Sequence, residues 1–138
     1  MKPFQRIVVA VDFSEVSHAA WRVAGQLGGR DGRLLALNVV VPLPLPNVGY
    51  ANIPAAQEEP RRENERRLGE LRAPKGARVE RRAVTGEVVH QVVHPIVETA
   101  RDASADLVIV GAARDGRGIA EAVVREAPCP VLVVKAAA

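Results

Sequence analysis

The chain contains 138 residues, of which 48% are hydrophobic and 25% are charged, and its formal net charge is +3. This length predicts one compact domain, and these proportions exclude a chain that is disordered throughout. No apolar run approaches the ~18 residues that a membrane-spanning helix needs, and the first residues lack the order of a secretory signal. We therefore expect one domain over residues 1–138, located in the cytoplasm, with no membrane partner.

The basic residues are mostly arginine, whose permanently charged, forked guanidinium group favours anionic partners. Nucleic-acid-binding surfaces usually combine such charge with stacking aromatics, whereas Phe4, Phe13, Trp21 and Tyr50 are scattered. The composition therefore favours anionic ligands in general and indicates no specific nucleic-acid partner.

Four almost continuously apolar segments predict buried strands, and they are residues 7–11, 34–41, 107–110 and 131–134. Continuous rather than alternating apolarity is typical of a parallel sheet that is covered by helices on both faces. A fifth strand is predicted over residues 78–85, where charged and small apolar residues mix as they do at a sheet edge. Helical segments between the strands predict an α/β doubly wound fold with a single open five-stranded parallel sheet.

The first two predicted helices differ in character. The first runs from Ser14, an N-cap candidate, to Leu27, and the glycines at 28 and 29 end it. The second covers residues 60–72 and is mostly charged, with ion pairs expected at Glu63–Arg67 and Arg66–Glu70. It is preceded by a Pro-rich extended loop over residues 42–49, and the segment 42–60 is a candidate cover for a crevice.

The last two predicted helices cover residues 87–103 and 119–126. The first of these carries a valine-rich stripe at helical spacing, which predicts burial against the sheet. Pro95 interrupts the stripe and predicts a kink, because proline removes one backbone donor.

In an open parallel sheet, ligands bind beyond the carboxyl ends of the strands, where the strand order reverses. A carboxylate at that edge can accept hydrogen bonds from ribose hydroxyls, and glycines before a helix expose backbone N–H groups to phosphate. The alternative is that Asp12 caps the first helix and that the glycines serve a tight turn, since no GxGxxG or GxxxxGK[ST] motif occurs. The residues that the sequence brings to this edge are Asp12, Val40, Val41, Gly111, Gly116, Arg117 and Gly118.

Three segments resemble the universal stress protein family, and they occur in that family's order. Residues 9–14, Val-Ala-Val-Asp-Phe-Ser, are similar to its opening V-x-V-D-x-S. Residues 105–111 resemble its A-D-L-I-V-x-G strand, and residues 120–134 its A-E-x-V-x-x-x-A-P-C-P-V-L-V-V ending. The resemblance implies the strand order 3-2-1-4-5, cytoplasmic dimers or higher assemblies that often form through the last strand, and ATP binding in one subclass.

The ATP-binding subclass carries G-x2-G-x9-G-[ST] after the fourth strand, so that the Glu of the A-E pair follows the first glycine by seventeen residues. Here Glu121 follows Gly111 by only ten residues, and the segment is therefore seven residues shorter. The second glycine falls at Arg114, the final Gly-Ser pair falls on Arg117-Gly118, and the phosphate-binding hydroxyl is absent. We therefore expect a degenerate crevice in which ATP binds weakly or not at all, with Arg114 and Arg117 as partial substitutes by charge.

Glu87, His90, His94 and Glu98 follow one another at steps of three, four and four, which places them on one helix face. Two histidines at i,i+4 with flanking carboxylates are able to hold Zn, Ni or Cu. The alternative is a solvated polar face opposite the valine stripe, and no further ligand is evident elsewhere in the sequence. We therefore predict no metal site.

Two potentially reactive side chains are expected to be structural. Cys129 follows a helix C-terminus, whose dipole disfavours a thiolate, and the chain's single cysteine excludes an internal disulfide. His18 is a lone histidine on the first helix without a nucleophile in view. We therefore predict no catalytic residue.

Three functions remain open. The shortened segment favours a non-enzymatic regulatory or interaction module, dimeric and with protein partners, that retains a degenerate adenine-nucleotide crevice. The alternative is a genuine AMP-, ADP- or ATP-binding stress protein that uses Asp12 and the segment from Gly111 to Gly118. An adenylate-handling enzyme is disfavoured, because no Ser-Gly-Gly-x-Asp-Ser loop follows the first strand and no nucleophile with its base can be assembled.

The last predicted strand indicates how copies of the chain associate. An apolar strand at a sheet edge promotes aggregation unless it is paired, and Lys135 alone protects it little. We therefore expect two copies to pair strand to strand about a two-fold axis. The residues of this strand are Val131, Leu132, Val133 and Val134.

Overall fold

The computed structural model describes residues 4–40, 53–86, 92–112 and 118–135, in which strands and helices alternate. All five strands are parallel and form one sheet in the order β3-β2-β1-β4-β5, which confirms the predicted fold and strand order. No helix in these ranges combines the length and apolarity needed to cross a membrane. The elements are β1 (Phe4–Ala10), α1 (Glu15–Leu27), β2 (Gly28–Val40), α2 (Ile53–Leu68), β3 (Arg78–Thr85), α3 (Val93–Asp102), β4 (Leu107–Gly111), α4 (Ile119–Glu126) and β5 (Val131–Val134).

The central strand β1 separates two apolar layers. Ile7 and Val9 belong to the cluster that contains Trp21 of α1, whereas Val8 packs in the cluster that contains Ile96 of α3. The three β1 residues are at most 1% exposed, because alternate side chains of a strand point to opposite faces and both faces are covered. The continuous apolar run in the sequence therefore predicted this arrangement correctly.

Polar side chains hold both ends of β1. At its amino end, the Asp106 carboxylate accepts hydrogen bonds from the backbone N–H groups of Gln5 (2.8 Å) and Arg6 (3.0 Å). Just beyond its carboxyl end, the buried Asn38 side chain donates to the carbonyl of Val11 at 2.8 Å. Both contacts bridge neighbouring strands, so they fix where β1 starts and ends relative to the rest of the sheet.

Strand β2 is longer than predicted. It begins at Gly28 rather than at residue 34, because Phe4 pairs with Gly28 before a register shift leads to the Arg6–Arg33 pair. Gly28 and Arg33 pair with β1 through their backbones, and the residues between them, which include glycine and charged residues, form the register shift. An apolar pattern does not report backbone pairing of this kind.

Helix α2 begins at Ile53, whereas the sequence analysis placed its start at Pro60 and a loop before it. Proline is favoured in a first turn, which made Pro60 look like a start, but here it lies inside the helix. Its position is exposed, where water can satisfy the backbone group that loses its partner. The loop predicted over residues 42–49 lies outside the described residues.

The ion pairs on α2 follow the predicted pattern in part. Arg66 forms an ion pair with Glu70 at 3.1 Å as expected, and it also forms one with Glu63 at 2.5 Å. Glu63 was predicted to pair with Arg67, whose guanidinium instead lies 4.0 Å from the ring centroid of Phe13. A cation held over an aromatic face replaces that surface ion pair and ties α2 to the turn after β1.

Helix α3 is described from Val93, so the predicted kink at Pro95 involves residues that lie partly outside the described ranges and stays a prediction. Pro95 occupies the first turn, where a backbone N–H has no partner inside the helix in any case. The predicted helical residues 87–91 lie outside the described residues.

The mixed composition of β3 has a structural reason. Arg81 donates to the carbonyl oxygens of Leu68 and Leu71, both at 2.9 Å, at and just beyond the C-terminal end of α2. These contacts satisfy carbonyl groups that the helix leaves without partners, and the positive charge suits a helix C-terminus. The charged residue at this point of the edge strand is therefore a cap for the helix that covers it.

Leu68 anchors the charged helix α2 in the core and is 0% exposed. We expect Leu68→Ala to lower the free energy of unfolding by about 2–5 kcal/mol, through lost transfer energy and the cavity it leaves. Leu27→Ala is the matched control, because Leu27 is 36% exposed and its loss should cost less than about 1 kcal/mol. Chemical denaturation of both variants measures the difference, and equal losses would show that α2 is not anchored through Leu68.

Candidate functional site

A cleft of about 1010 Å³ opens at the carboxyl edge of the sheet, and we call it the carboxyl-edge cleft. Its floor is formed by the ends of β1, β2, β4 and β5, and its walls include the first turns of α1 and α4. The volume is at the upper end of the range for small-molecule sites. The lining residues that matter below are Asp12, Ser14, Ser17, Val39, Gly111, Gly118, Glu121, Arg125 and Lys135.

Asp12 is held in place by the residue two positions after it. Its Oδ1 accepts hydrogen bonds from the backbone N–H of Ser14 at 3.0 Å and from the Ser14 hydroxyl at 2.5 Å. Because Ser14 engages only Oδ1, it leaves Oδ2 as an acceptor for a ligand. Partial burial raises the pKa of Asp12, but the interactions with Ser14, with the Ser17 side chain and with its own backbone together outweigh it, so the pKa lies below its ordinary value and the carboxylate is charged at neutral pH.

The turn between β1 and α1 brings these groups together. Phe13 has a φ of 66°, a left-handed conformation that few non-glycine residues adopt, and it lies between Asp12 and Ser14. Ser14 then acts as the predicted N-cap, because its hydroxyl oxygen accepts from the backbone N–H of Ser17 at 3.2 Å. Both roles considered for Asp12 are therefore compatible, since it orients the cap and still lines the cleft.

Gly111 ends β4 where α1 passes closest to the sheet. A Cβ atom at this position would lie 2.9 Å from Cγ1 and 3.1 Å from Cγ2 of Val16. Packing against Val16 therefore favours glycine at this position. Gly111 also lines the cleft, and with no side chain it presents its backbone there.

Gly118 is the N-cap of α4 and has a φ of 75°. This left-handed conformation favours glycine, and no side chain caps the helix start. Among the described residues, no side-chain acceptor caps the first backbone N–H groups of α4, and Gly118, Ile119 and Ala120 line the cleft.

The end of β2 contributes a different residue from those predicted. Val40 is buried outside the carboxyl-edge cleft, whereas Val39 and Leu37 line it, because alternate residues face opposite sides of the sheet. Val41 lies outside the described residues, and so do Arg114, Gly116 and Arg117, the other predicted members of the site. The structure thus brings together Asp12, Gly111 and Gly118 from the predicted set.

Sequence reasoning missed Asn38, which positions the cleft without lining it. Its side chain joins Val11 to α2, because its Oδ1 accepts from the Asn64 amide at 3.0 Å while its Nδ2 donates to Val11. Asn38 is 4% exposed, and a polar residue inside an apolar strand was the available signal. It holds the chain immediately before Asp12.

Charged residues of α1 and α4 and the residue after β5 also line the cleft. Arg125 and Lys135 supply positive charge, and Glu121 and Glu15 supply negative charge. These residues were not predicted for the site, because sequence position alone does not show which side chains of α4 face the cleft.

The structure does not bring the remaining candidate residues together in a metal or catalytic site among the described residues. His94 is exposed, and Glu98 pairs with Arg101 at 2.9 Å, while Glu87 and His90 lie outside the described residues. Within the described ranges, no group of three or more His, Cys, Asp or Glu side chains is placed to hold a metal ion. His18 is exposed on α1.

Cys129 is only partly exposed, and its surroundings keep the thiol protonated. Partial burial, and to a smaller extent the charge of Asp106, raise the pKa of Cys129 above its ordinary value. The nucleophilic thiolate is therefore disfavoured at neutral pH.

The sequence model of the Universal stress protein family matches residues 3–135, which is nearly the whole chain. The chain belongs to the universal stress protein family. A solved structure of a protein of this family from Burkholderia pseudomallei is 26% identical, with 96% of each chain covered and a TM-score of 0.68. These findings confirm the resemblance carried by the three sequence segments.

Two other solved universal stress proteins contain adenine nucleotides. One, in complex with cAMP, is 27% identical, with 96% of this chain and 98% of that chain covered and a TM-score of 0.61. The universal stress protein from Archaeoglobus fulgidus in complex with dAMP is 22% identical, with 97% and 100% covered and a TM-score of 0.61, a likeness that shows the fold. No curated protein sequence matches this chain.

The contact between Gly111 and Val16 predicts a coupled effect in this universal stress protein. We expect Gly111→Ala to lower the free energy of unfolding by about 1–3 kcal/mol, because its Cβ overpacks against Val16. Adding Val16→Ala removes both Cγ atoms, so the double variant should lose less stability than the sum of the single variants. Chemical denaturation of the cycle measures this coupling, and simple additivity would contradict the close approach.

Proposed function

We propose that the protein is a regulatory module that binds an adenine nucleotide with a single phosphate in the carboxyl-edge cleft. The observation that carries the proposal is the charged, pre-oriented carboxylate of Asp12 at the wall of a cleft large enough for a nucleotide. A carboxylate in this position is suited to accept hydrogen bonds from ribose hydroxyls, with Oδ2 left available by Ser14.

The relatives favour this function over the degenerate crevice that the shortened segment first suggested. One solved relative is a complex with cAMP and another with dAMP, and each carries one phosphate group. The segment between Gly111 and Glu121 is seven residues shorter than in the ATP-binding pattern, and this shortening removes donors for the outer phosphates of ATP. A ligand with one phosphate makes no demand on those donors.

The start of α4 supplies a place for that phosphate. A helix N-terminus presents unpaired N–H groups and a positive dipole end, and both favour an anion. The Gly118 cap offers no side-chain acceptor to compete for these groups, and Gly118 and Ile119 line the cleft. Asp12 and the α4 terminus therefore suit the two ends of a nucleoside monophosphate, the ribose and the phosphate.

We propose a binding role rather than catalysis. Among the described cleft residues, the hydroxyl of Ser14 is already committed, since it donates to Asp12 and accepts from Ser17. It is therefore not free to act as a nucleophile. We also propose a cytoplasmic location, where adenine nucleotides are made and used.

We further propose that two copies pair through β5. This strand is at the edge of the sheet, its four residues are only partly buried, and all are aliphatic. The carbonyl oxygens of Pro130 and Val134 face β4, where they accept from Val108 and Ala112. By the alternation of a parallel ladder, Val131 and Val133 direct their backbone groups outward, where a second β5 can pair with them.

The Asp12 contact with ribose predicts the binding behaviour of a variant. We expect Asp12→Asn to weaken AMP binding about tenfold in isothermal titration calorimetry, because Asn keeps one oxygen for Ser14 and replaces the free one with a donor. Asp31→Asn is the matched control, since Asp31 is exposed and belongs to the amino-terminal part of β2. We expect this control to bind AMP as the unaltered protein does.

The sugar hydroxyls test which contact is lost. We expect 2′-deoxy-AMP or 3′-deoxy-AMP to bind more weakly than AMP to the unaltered protein, and as well as AMP to Asp12→Asn. Failure of AMP, cAMP and dAMP to bind the unaltered protein would refute the nucleotide function and favour an interaction module. A penalty for the deoxy sugars that survives in Asp12→Asn would remove Asp12 from the ribose contact.

Pairing through β5 predicts that one backbone N–H governs assembly. We expect Val133→Pro to give monomers in light scattering at micromolar concentration, because proline removes an outward-facing donor without touching the β4 ladder. Val133→Thr retains the N–H and should remain dimeric. Circular dichroism checks that both variants are folded, and a dimer that persists in folded Val133→Pro would contradict pairing through this edge.

A further inference from the structure

Three arginines lie side by side across the sheet at the edge opposite the carboxyl-edge cleft. Arg6 of β1 is in register with Arg33 of β2, and Arg33 is in register with Arg78 of β3. Neighbouring strands lie about 4.8 Å apart, so the three Cα atoms form a row roughly 10 Å long. We call these three residues the arginine row.

The row lies on one face of the sheet. Arg6 is two residues before Val8 and Arg33 is two residues before Leu35, and both apolar residues pack in the cluster on the α3 side. Side chains two apart on a strand share a face, so Arg6 and Arg33 point to that side as well. All three arginines are exposed and line one groove of about 510 Å³, which we call the amino-edge groove.

The amino-edge groove carries excess positive charge. Its other charged residues are Arg82, Glu80 and Asp102, so four arginines face two carboxylates. Glu80 forms an ion pair with Arg82 at 2.6 Å. In the part of the chain that the structure describes, no guanidinium group of the arginine row forms an ion pair, and Asp102 is the remaining carboxylate that lines the groove.

Placing like charges directly opposite one another on neighbouring strands is destabilising, and the row does so twice. A bound anion would relieve this repulsion at every position. Guanidinium groups bind phosphate oxygens through paired N–H donors, and a linear chain of phosphates offers negative charge at several points along its length. The row and such a chain therefore match in charge and in extended shape.

We propose that the arginine row is a second anion site of this protein, which binds a linear chain of linked phosphates. The chain is either inorganic, as in tripolyphosphate, or the tail of a nucleotide, and both offer the same oxygens to the guanidinium groups. This site is independent of the nucleotide proposed for the carboxyl-edge cleft, because the two lie at opposite ends of the strands.

The test is a calorimetric titration of the full chain with tripolyphosphate, with AMP present in excess. We expect saturable binding that weakens as salt is added, because the row is exposed and its charges are screened. Arg33→Gln removes the central charge and should weaken binding about tenfold. Arg22→Gln is the matched control, since Arg22 is an exposed arginine on α1 outside the groove, and it should leave binding unchanged.

A second measurement separates a binding role from a purely structural one. We expect Arg33→Gln to raise the melting temperature at low salt by relieving repulsion, with a gain that shrinks as salt is added. If the row only neutralises Asp102, the same change lowers the melting temperature, and that result would overturn the proposal.

Replacing tripolyphosphate by ATP in the titration identifies the source of the phosphate chain. Tighter binding of either ligand supports the site and shows which chain it prefers.

Two results of the titration count against the site. The absence of tripolyphosphate binding to the unaltered protein would overturn it, and so would equal binding to Arg33→Gln. Binding of AMP alone has no bearing on either result, so failure of this site and failure of the nucleotide function are distinguishable.

Discussion

The two polar contacts that hold the ends of β1 are the constraint on which the rest of the structure depends. Asp106 fixes its amino end through two backbone N–H groups, and Asn38 fixes the chain beyond its carboxyl end through the carbonyl of Val11. Apolar packing alone specifies position along a strand weakly, because a shift by two residues restores the same facing pattern. Directional hydrogen bonds remove that freedom, so the ends of all neighbouring strands are set relative to β1.

The candidate site follows from where β1 ends. Once Asn38 holds Val11, the next residue must lie at the carboxyl edge, and the left-handed turn at Phe13 returns the chain so that Ser14 meets Asp12. The helix that starts there passes so close to β4 that a Cβ atom at position 111 would crowd Val16. The positions of the Asp12 carboxylate and of the Gly111 backbone in the cleft therefore follow from packing and from the hydrogen bonds at the end of β1.

The sequence predicted the sheet because continuous apolarity has one simple explanation, burial on both faces. It predicted that Asp12 and Gly111 lie together because they stand at the carboxyl ends of strands, and these ends meet at one edge of a parallel sheet. It did not predict that Val39 rather than Val40 lines the cleft, since a run of valines does not show which face each one takes. The start of α2 was misplaced at Pro60, because a proline that favours a first turn is also tolerated on an exposed helix surface.

The two edges of the sheet have opposite electrostatic character, and this decides what each can bind. Helices α1 and α4 begin at the carboxyl edge, where positive dipole ends attract an anion without side-chain charge. Helix α3 ends at the amino edge, where its negative dipole end and the Asp102 carboxylate repel an anion. An anion binds at the amino edge only if formal positive charge outweighs both the α3 dipole end and the Asp102 carboxylate. The groove has two more arginines than carboxylates, and these supply that charge. A phosphate at the carboxyl edge is thus held by backbone geometry, whereas one at the amino edge depends on arginine side chains.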